Sequence, residues 1–315
     1  MSNVDSPDKP PLALIAGPTA SGKSDLAVRL AKVLESVGRR GVVINADSAQ
    51  VYADLEVLSA RPSVDEMQGV EHRLFGDWDG AQACSAADWA ERARVEIELA
   101  HEDGAVPILV GGTGLYIRTL LDGIAPVPPV DPQVREAVRD MPLADAAMAL
   151  QAEDPDRAAR LGPADSARIR RALEVVRSSG QPLAHWQQQL SGGIGGAVIL
   201  HPAILLPDRA WLYERCDRRF AAMLQRGAIA EVEALLARQL SPDLPVMRAI
   251  GVPEIADFLR GTAILEDALA RGSQSTRNYV KRQITWLRHQ PPTDWPRVES
   301  EHFNEGNIFA SLLRD

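Results

Sequence analysis

The chain lacks the features of a membrane-spanning or disulfide-stabilised protein. No apolar run approaches the roughly eighteen residues that cross a bilayer, and the acidic, proline-rich stretch Met1–Pro11 has no apolar segment typical of a targeting signal. The only two cysteines, Cys84 and Cys216, lie far apart and match no metal-ligand spacing. We therefore expect two unpaired thiols in a reducing compartment, and a cytoplasmic protein without membrane association.

A positive charge excess is also absent. The 315 residues carry a formal net charge of −9, which argues against a wholly basic nucleic-acid binder but leaves local basic surfaces possible. No internal repeat is evident. The length and the 45% apolar content predict one large or two modest globular domains with a sizeable core.

One stretch near the N-terminus matches the pattern G-x-x-x-x-G-K-[ST] of a phosphate-binding loop. An apolar run precedes it and a helical pattern follows it, so strand, glycine-rich turn and helix N-terminus come in the order that anion binding requires. We expect eight residues to hold the phosphates: Gly17, Pro18, Thr19, Ala20, Ser21, Gly22, Lys23 and Ser24. A nucleoside triphosphate and an alkyl pyrophosphate remain equally possible ligands of such a loop.

Two further predicted strands end in residues that carry chemistry. Val42–Ile44 runs towards Asp47, and Val106–Val110 is followed by the small residues around Thr113. Because parallel strands end at one edge of a sheet, Asp47 and Thr113 are expected beside the phosphate loop. Helix capping by Asp47 and a plain tight turn at Thr113 remain alternatives.

The remaining pattern predicts an α/β fold, with a phosphate-loop core that contains a parallel sheet, an all-helical insertion and a helical C-terminal region. The core comprises residues 1–124 and 197–315, and the insertion comprises 125–196. After the insertion, strand character returns at 198–200 and 204–206, and the residues after Pro291 resemble a terminal extension. Helices are expected at 85–100, 209–226, 229–239, 253–259 and 264–290.

Two helical stretches are basic. The insertion is rich in arginine between Arg157 and Arg177, and no acidic residue occurs from Arg271 to Gln290. Such runs are either solvated helix faces or contacts to a phosphate backbone.

Seven collinear motifs between about residues 12 and 290 resemble the bacterial tRNA dimethylallyltransferases, the tRNA isopentenyl transferase family. They are Gly17–Ser24, Ala46–Tyr52, Ser85–Asp88, Gly111–Tyr116, Arg168–Glu174, Arg248–Gly251 and Lys281–Trp286. The chain departs from the family pattern at Ala167, where Gln is common, and at Val252, where Tyr is usual.

The resemblance implies transfer of a dimethylallyl group from its pyrophosphate to N6 of the adenine 3′ of the anticodon, in tRNAs that read codons beginning with U. The loop then holds the pyrophosphate of the donor with Mg²⁺, through Ser24, rather than ATP. Asp47, Thr113, Lys23 and Arg219 correspond to catalytic positions. The resemblance further implies tRNA contacts at Asp47, Ser48, Ala49, Gln50, Thr113, Arg135, Ala167, Arg168, Ile169, Arg170, Arg171 and Arg248.

We add Lys281 and Arg282 to the expected tRNA contacts from charge position, and we expect a monomer that binds the anticodon stem-loop. Three other functions are open on the residues alone. They are a small-molecule kinase, a cytokinin-type prenyltransferase acting on an adenosine phosphate, and a non-enzymatic, nucleotide-gated RNA-binding module. The large insertion and the acid-free basic helix favour a macromolecular substrate over the first two.

Overall fold

A computed structural model describes residues 9–299 and 304–314. Most of the N-terminal stretch on which the expected lack of a targeting signal rests, residues 1–8, lies outside the described residues. The contacts divide the chain into two compact units. We call Met1–Leu120 with Gly195–Asp315 the core unit, and Leu121–Ile194 the helical unit.

The core unit is built on a six-stranded, all-parallel sheet with the strand order β3-β2-β4-β1-β5-β6. The strands are β1 (Pro11–Ala16), β2 (Arg40–Asn45), β3 (Glu71–Arg73), β4 (Ala105–Gly111), β5 (Ile199–Leu205) and β6 (Arg297–Val298). This architecture confirms the predicted α/β fold class.

Helices cover the sheet and form the helical unit. The first four are α1 (Lys23–Ser36), α2 (Val64–Met67), α3 (Ala86–Glu102) and α4 (Gly114–Asp122). The helical unit contains α5 (Pro132–Asp140), α6 (Leu143–Glu153), α7 (Pro155–Ala158), α8 (Ser166–Ser179) and α9 (Leu183–Trp186). The C-terminal half adds α10 (Arg209–Gln225), α11 (Ala228–Ala237), a 3₁₀ turn (Pro245–Arg248), α12 (Val252–Leu259), α13 (Leu265–His289) and α14 (Glu305–Ile308). Within the described ranges, no helix has both the length and the apolar character that crossing a bilayer requires.

Strand β1 lies at the centre of the sheet and sets the position of the loop that follows it. Its residues from Leu12 to Ala16 are almost fully buried, and Ile15 pairs with Val110 of β4 and Ala203 of β5. Continuous apolar strands of this kind are expected where helices cover both faces of a parallel sheet. The carboxyl ends of β1, β2 and β4 therefore meet at one edge, as ligand sites in open α/β sheets require.

Two strand predictions are corrected. The segments expected at 198–200 and 204–206 form one strand, β5, which continues through Pro202. Strand β6 pairs only with Ile204 and Leu205, so Pro202 lies where β5 has a partner on one side, a position that tolerates a missing N–H. Strand β3 was not predicted, because its three residues are polar and lie at the sheet edge.

The residues after Pro291 are not merely an extension. Arg297–Val298 adds the edge strand β6 to the sheet, and α14 packs near α1. Phe309 and Leu312 are 1% and 0% exposed and belong to the same apolar core as Leu30. The C-terminal segment therefore completes the core on one face of the sheet, which its mostly polar sequence does not indicate.

Truncating Leu312 tests this role. Deleting a buried leucine side chain removes apolar burial and leaves a cavity, so Leu312→Ala is expected to lower the free energy of unfolding by about 2–5 kcal/mol. Leu99→Ala is the matched control, because Leu99 is 44% exposed on α3 and its truncation is expected to cost no more than about 1 kcal/mol. Equal losses for the two variants in urea denaturation would show that the C-terminal segment contributes nothing to core stability.

Candidate active site

The phosphate loop joins the end of β1 to the start of α1. Ala20 and Gly22 have φ of 63° and 88°, so successive N–H groups turn towards one concave face, as in anion-binding nests. A Cβ on Gly17 would lie 2.6 Å from Ser21 Oγ and 3.3 Å from the Leu205 carbonyl oxygen. The first glycine is therefore required by close packing under the loop.

Lys23 is the first residue of α1, and its ammonium group is enclosed beside the loop. It donates a hydrogen bond to the Pro18 carbonyl oxygen at 3.1 Å. Burial lowers the pKa of Lys23 to about 8, and the nearby Asp47 carboxylate opposes this shift. A bound anion beside this amine would favour its charged form and raise its pKa again.

Helix α10 brings two arginines to the loop. The Arg219 guanidinium donates to the Thr19 hydroxyl, and burial lowers the pKa of Arg219. Arg215 donates to the Ala20 carbonyl oxygen at 3.1 Å and lies over the Trp211 ring. Sequence reasoning missed Arg215, although its position one helical turn before Arg219 puts both on the same face.

Asp47 and Thr113 meet at the edge of the sheet. Asp47 Oδ1 accepts from the Ala49 N–H at 3.0 Å, and its own N–H donates to Asn45 Oδ1. Thr113 Oγ1 accepts from the Ser48 N–H at 3.0 Å. Asp47 thus makes a local turn contact with one oxygen, while Oδ2 has no hydrogen-bond donor among residues 9–299 and 304–314. A carboxylate with one fixed and one available oxygen suits proton abstraction.

Tyr279 and Gln283, one helical turn apart on α13, were also missed. The Tyr279 ring lies beside Thr113, Ser48 and Asp47, and burial raises the pKa of its hydroxyl. Gln283 accepts from the Thr19 N–H and donates to the Gly112 carbonyl oxygen. The sequence offered one signal for Gln283, since this polar residue lies between Val280 and Ile284 of the predicted apolar stripe. The structure confirms that Val280 and Ile284 are buried.

Two cavities of the core unit meet at these groups. The first, of about 360 Å³, is lined by the phosphate loop with Arg215 and Arg219. The second, of about 300 Å³, has a wall with both apolar and polar side chains. That wall includes Leu55, Leu58, Phe220, Met223 and Ile250. Thr19, Asp47 and Arg219 line both cavities, so an anion in one and an apolar or aromatic group in the other would share these residues.

The loop from Leu55 to Ala60 forms one side of both cavities and is anchored by two side chains. Glu231 of α11 accepts from the N–H groups of Glu56, Val57 and Leu58 at 2.5, 2.8 and 2.9 Å. Gln50 donates to the carbonyl oxygens of Ser59 and Ala60. The Gln50 amide therefore holds this loop, in addition to any contact with RNA.

The other expected tRNA residues of the core unit surround the second cavity or lie on its rim. Ser48, Ala49, Arg248 and Arg282 line this cavity, whereas Lys281 is exposed on α13. Two other arginines of the basic helix α13 form ion pairs within the protein and are not available to RNA. Arg271 pairs with Asp257 at 2.5 Å and Arg277 with Asp217 at 2.6 Å. The positive surface of α13 is therefore smaller than its sequence predicts.

The helical unit carries the remaining expected tRNA residues. Arg135 is exposed on α5, and Ala167 and Arg168 are exposed in the first turn of α8. Arg168 pairs with Asp165, Arg170 donates to the Met141 carbonyl oxygen and Arg171 lies 3.8 Å from Glu174. Ile169 packs in the apolar core of this unit with Leu150 and Leu173. Its side chain therefore stabilises the unit and presents no surface to RNA.

The loop has the donor set of a phosphate-associated Mg²⁺ site. Ser24 lines the first cavity next to Lys23. In the described part of the chain, no group of three or more His, Cys, Asp or Glu side chains is arranged to hold a metal ion. In phosphate loops, the hydroxyl of the Ser or Thr after the lysine binds Mg²⁺ together with the substrate phosphates. A single hydroxyl beside a phosphate loop fits that mode of binding.

The fold and this site define a phosphate-loop enzyme with a second cavity beside the loop. Comparison with known proteins gives the family: the model described as IPP transferase matches residues 50–290. The chain belongs to this family. It is 66% identical over 307 residues to a tRNA dimethylallyltransferase of Erythrobacter litoralis, with 98% of this chain and 97% of that one covered. A tRNA dimethylallyltransferase of Zymomonas mobilis is 51% identical, and the alignment covers 99% of each of the two chains.

Solved structures agree with this assignment. The tRNA isopentenylpyrophosphate transferase of Bacillus halodurans superposes with a TM-score of 0.68 at 31% identity, covering 97% of this chain and 95% of that one. A eukaryotic dimethylallyltransferase acting on tRNA gives a TM-score of 0.73 at 27% identity, covering 88% and 70%.

The lowered pKa of Lys23 predicts a pH dependence of anion binding. The amine is charged below pH 8 and loses its proton as the pH rises through about 8, so affinity for inorganic pyrophosphate is expected to fall above that pH. Lys23→Ala is expected to bind more weakly and provides the control, because its pH profile lacks the titration of Lys23. Calorimetric titrations from pH 6 to 10 that give parallel profiles for both proteins would contradict the prediction.

Proposed function

We propose that this protein transfers the dimethylallyl group of dimethylallyl pyrophosphate to N6 of the adenine 3′-adjacent to the anticodon, in tRNAs that read codons beginning with U. The observation that carries the proposal is the position of Asp47 and Arg219 on the wall shared by two cavities, one lined by the phosphate loop and one lined by both apolar and polar side chains. The products are N6-(dimethylallyl)adenosine in the tRNA and free pyrophosphate. Membership of the IPP transferase family and its tRNA-acting relatives supports this choice.

The donor side provides positive charge where the leaving group forms. As the bond between the allylic carbon and the pyrophosphate oxygen breaks, negative charge grows on the pyrophosphate. The loop N–H groups, Lys23 and Arg219 lie at the cavity that would hold it. Mg²⁺ bound through Ser24 would neutralise part of the pyrophosphate charge.

The acceptor side needs a base. The lone pair of adenine N6 is delocalised into the ring, so attack on the allylic carbon requires removal of an N6 proton as the new bond forms. Asp47 is the carboxylate on the shared wall, and its Oδ2 is available to take that proton. Thr113, bonded to the Ser48 backbone, would orient the reacting groups.

The proposed acceptor is the anticodon stem-loop. A stacked base must be extruded before an enzyme reaches N6, and the second cavity offers both apolar walls and polar groups for an extruded adenine. Contacts from Asp47, Ser48, Ala49, Gln50, Thr113, Arg248, Lys281 and Arg282, and from Arg135 and Ala167 to Arg171, would position the RNA. We also propose a monomer, and a cytoplasmic location because tRNA is found there.

The family match does not favour the other three functions. A small-molecule kinase, a cytokinin-type prenyltransferase and a nucleotide-gated RNA-binding module each remain distinguishable by experiment. Purified protein supplied with labelled dimethylallyl pyrophosphate and bulk tRNA is expected to transfer label to tRNA without consuming ATP. ATP consumption, comparable turnover of adenosine monophosphate, or RNA binding without transfer would support the respective alternatives.

Within the same assay, Asp47→Asn tests the base. An asparagine retains an oxygen that can accept from the Ala49 N–H but cannot take the N6 proton, so kcat is expected to fall by about 10²–10⁴-fold while donor and tRNA still bind. A near-normal single-turnover rate at saturating donor and tRNA would show that another group is the base.

Salt dependence tests the basic surface of α13. Lys281 and Arg282 have no acidic partner in the described parts of the chain, so each is available for a phosphate contact. Each lost contact is expected to lower the slope of log affinity against log salt by about 0.7–0.9. The double variant Lys281→Ala/Arg282→Ala is therefore expected to flatten the slope for tRNA without affecting pyrophosphate binding.

The matched control is Arg271→Ala/Arg277→Ala, which removes the same formal charge from arginines already paired with Asp257 and Asp217. Its effect on the slope is expected to be smaller. An equal effect of both double variants would mean that net charge, rather than contact by Lys281 and Arg282, governs RNA affinity.

A further inference from the structure

Gln283 has both ends of its amide committed to two different loops of the site. The side chain is 4% exposed, Oε1 accepts from the Thr19 N–H at 2.9 Å, and Nε2 donates to the Gly112 carbonyl oxygen at 3.1 Å. These partners fix the orientation of the amide, because an N–H requires an acceptor and a carbonyl oxygen requires a donor. A buried amide with both groups hydrogen-bonded holds its two partners, here Thr19 and Gly112, at a fixed separation.

The two loops serve opposite sides of the proposed reaction. Thr19 belongs to the phosphate loop, and its hydroxyl accepts a hydrogen bond from the Arg219 guanidinium. Gly112 directly precedes Thr113, whose hydroxyl holds the Ser48 N–H beside Asp47. Gln283 thus joins the donor side to the acceptor side through one side chain from a third element.

The surroundings of this connection are closely packed. A Cβ on Gly112 would lie 2.3 Å from Gln283 Nε2 and 2.6 Å from the Gly17 carbonyl oxygen. On the helix, Val280, Ile284 and Leu287 are buried around position 283 and hold α13 in place. The amide is therefore fixed at both its base and its tip.

We infer that Gln283 is a positioning residue that sets the spacing between the phosphate loop and the turn carrying Thr113, and that it must be neutral to do so. The inference rests on the proposed transfer reaction, because its effect is read in the rate of that reaction. A neutral amide supplies an acceptor and a donor together. A carboxylate would face the Gly112 carbonyl oxygen with like partial charge and would place a negative charge beside the bound pyrophosphate.

Two substitutions separate these requirements. Gln283→Met keeps the volume but loses both hydrogen bonds. We expect kcat to fall by about 10–100-fold, since small misplacements of reacting groups have effects of this size. The Kd for inorganic pyrophosphate is expected to stay within about threefold, because Lys23 and Arg219 remain.

Gln283→Glu is a pH-controlled mimic. The protonated acid can accept from Thr19 N–H with one oxygen and donate to Gly112 with the other, as glutamine does. Burial beside the bound anion is expected to raise the pKa of this carboxyl from its usual value of about 4.3 into the range from about 6 to 9. We therefore expect its activity, divided by that of the unsubstituted enzyme at the same pH, to rise as the pH falls from 9 to 6. Its pyrophosphate affinity is expected to be at least about tenfold weaker than that of the unsubstituted protein at pH 9, and to approach that of the unsubstituted protein at pH 6.

Leu287→Ala is the structural control, because it removes a buried side chain of the same helix without touching either hydrogen bond. The kcat values of Gln283→Met and Leu287→Ala are compared at assay temperatures that lie equally far below the Tm of each variant. The same fall in kcat for both, or a flat activity ratio for Gln283→Glu across pH, would overturn the positioning role. Failure of the unsubstituted enzyme to transfer label would instead overturn the proposed function, whereas the pyrophosphate titrations of Gln283→Glu still report on the need for neutrality.

Discussion

The site depends on two cations held out of water beside a loop shaped for an anion. Removing Lys23 and Arg219 from water disfavours their charged forms, as the lowered pKa values of both groups indicate. One carboxylate, Asp47, opposes this effect for both. The two cations and the one carboxylate leave a net positive charge, so the site without a ligand is arranged for an anion rather than for a neutral molecule.

The parallel sheet brings these charges together. Lys23 follows β1, Asp47 follows β2 and Thr113 follows β4, and these three strands are adjacent in the sheet. The sequence predicts this arrangement well, because a loop motif between a strand and a helix, and polar residues directly after apolar strands, are local signals. The fold class, the long C-terminal helix and its buried stripe are predictable for the same reason.

Features that depend on tertiary contacts could not be predicted. Gln283 lies 264 positions from Thr19 along the chain, and nothing local indicates that the two meet. Arg271 and Arg277 are part of an acid-free stretch, yet their acidic partners come from α12 and α10. The edge strands β3 and β6 are too short and polar to give a periodic signal. In each case the information lies in residues distant along the chain.

The contact of Glu231 with three consecutive N–H groups has a consequence for where a phosphate can bind. The stretch from Glu56 to Leu58 presents its N–H groups as a helix N-terminus does, and such a cluster attracts anions. The protein fills it with its own carboxylate. Among the described residues, one cluster of N–H groups beside the cavities is thus occupied by Glu231, and another, at Gly17 to Ser24, lines an open cavity. In the described part of the chain, the loop is therefore the open cluster of N–H groups at these cavities, and the leaving group of the proposed donor would bind there.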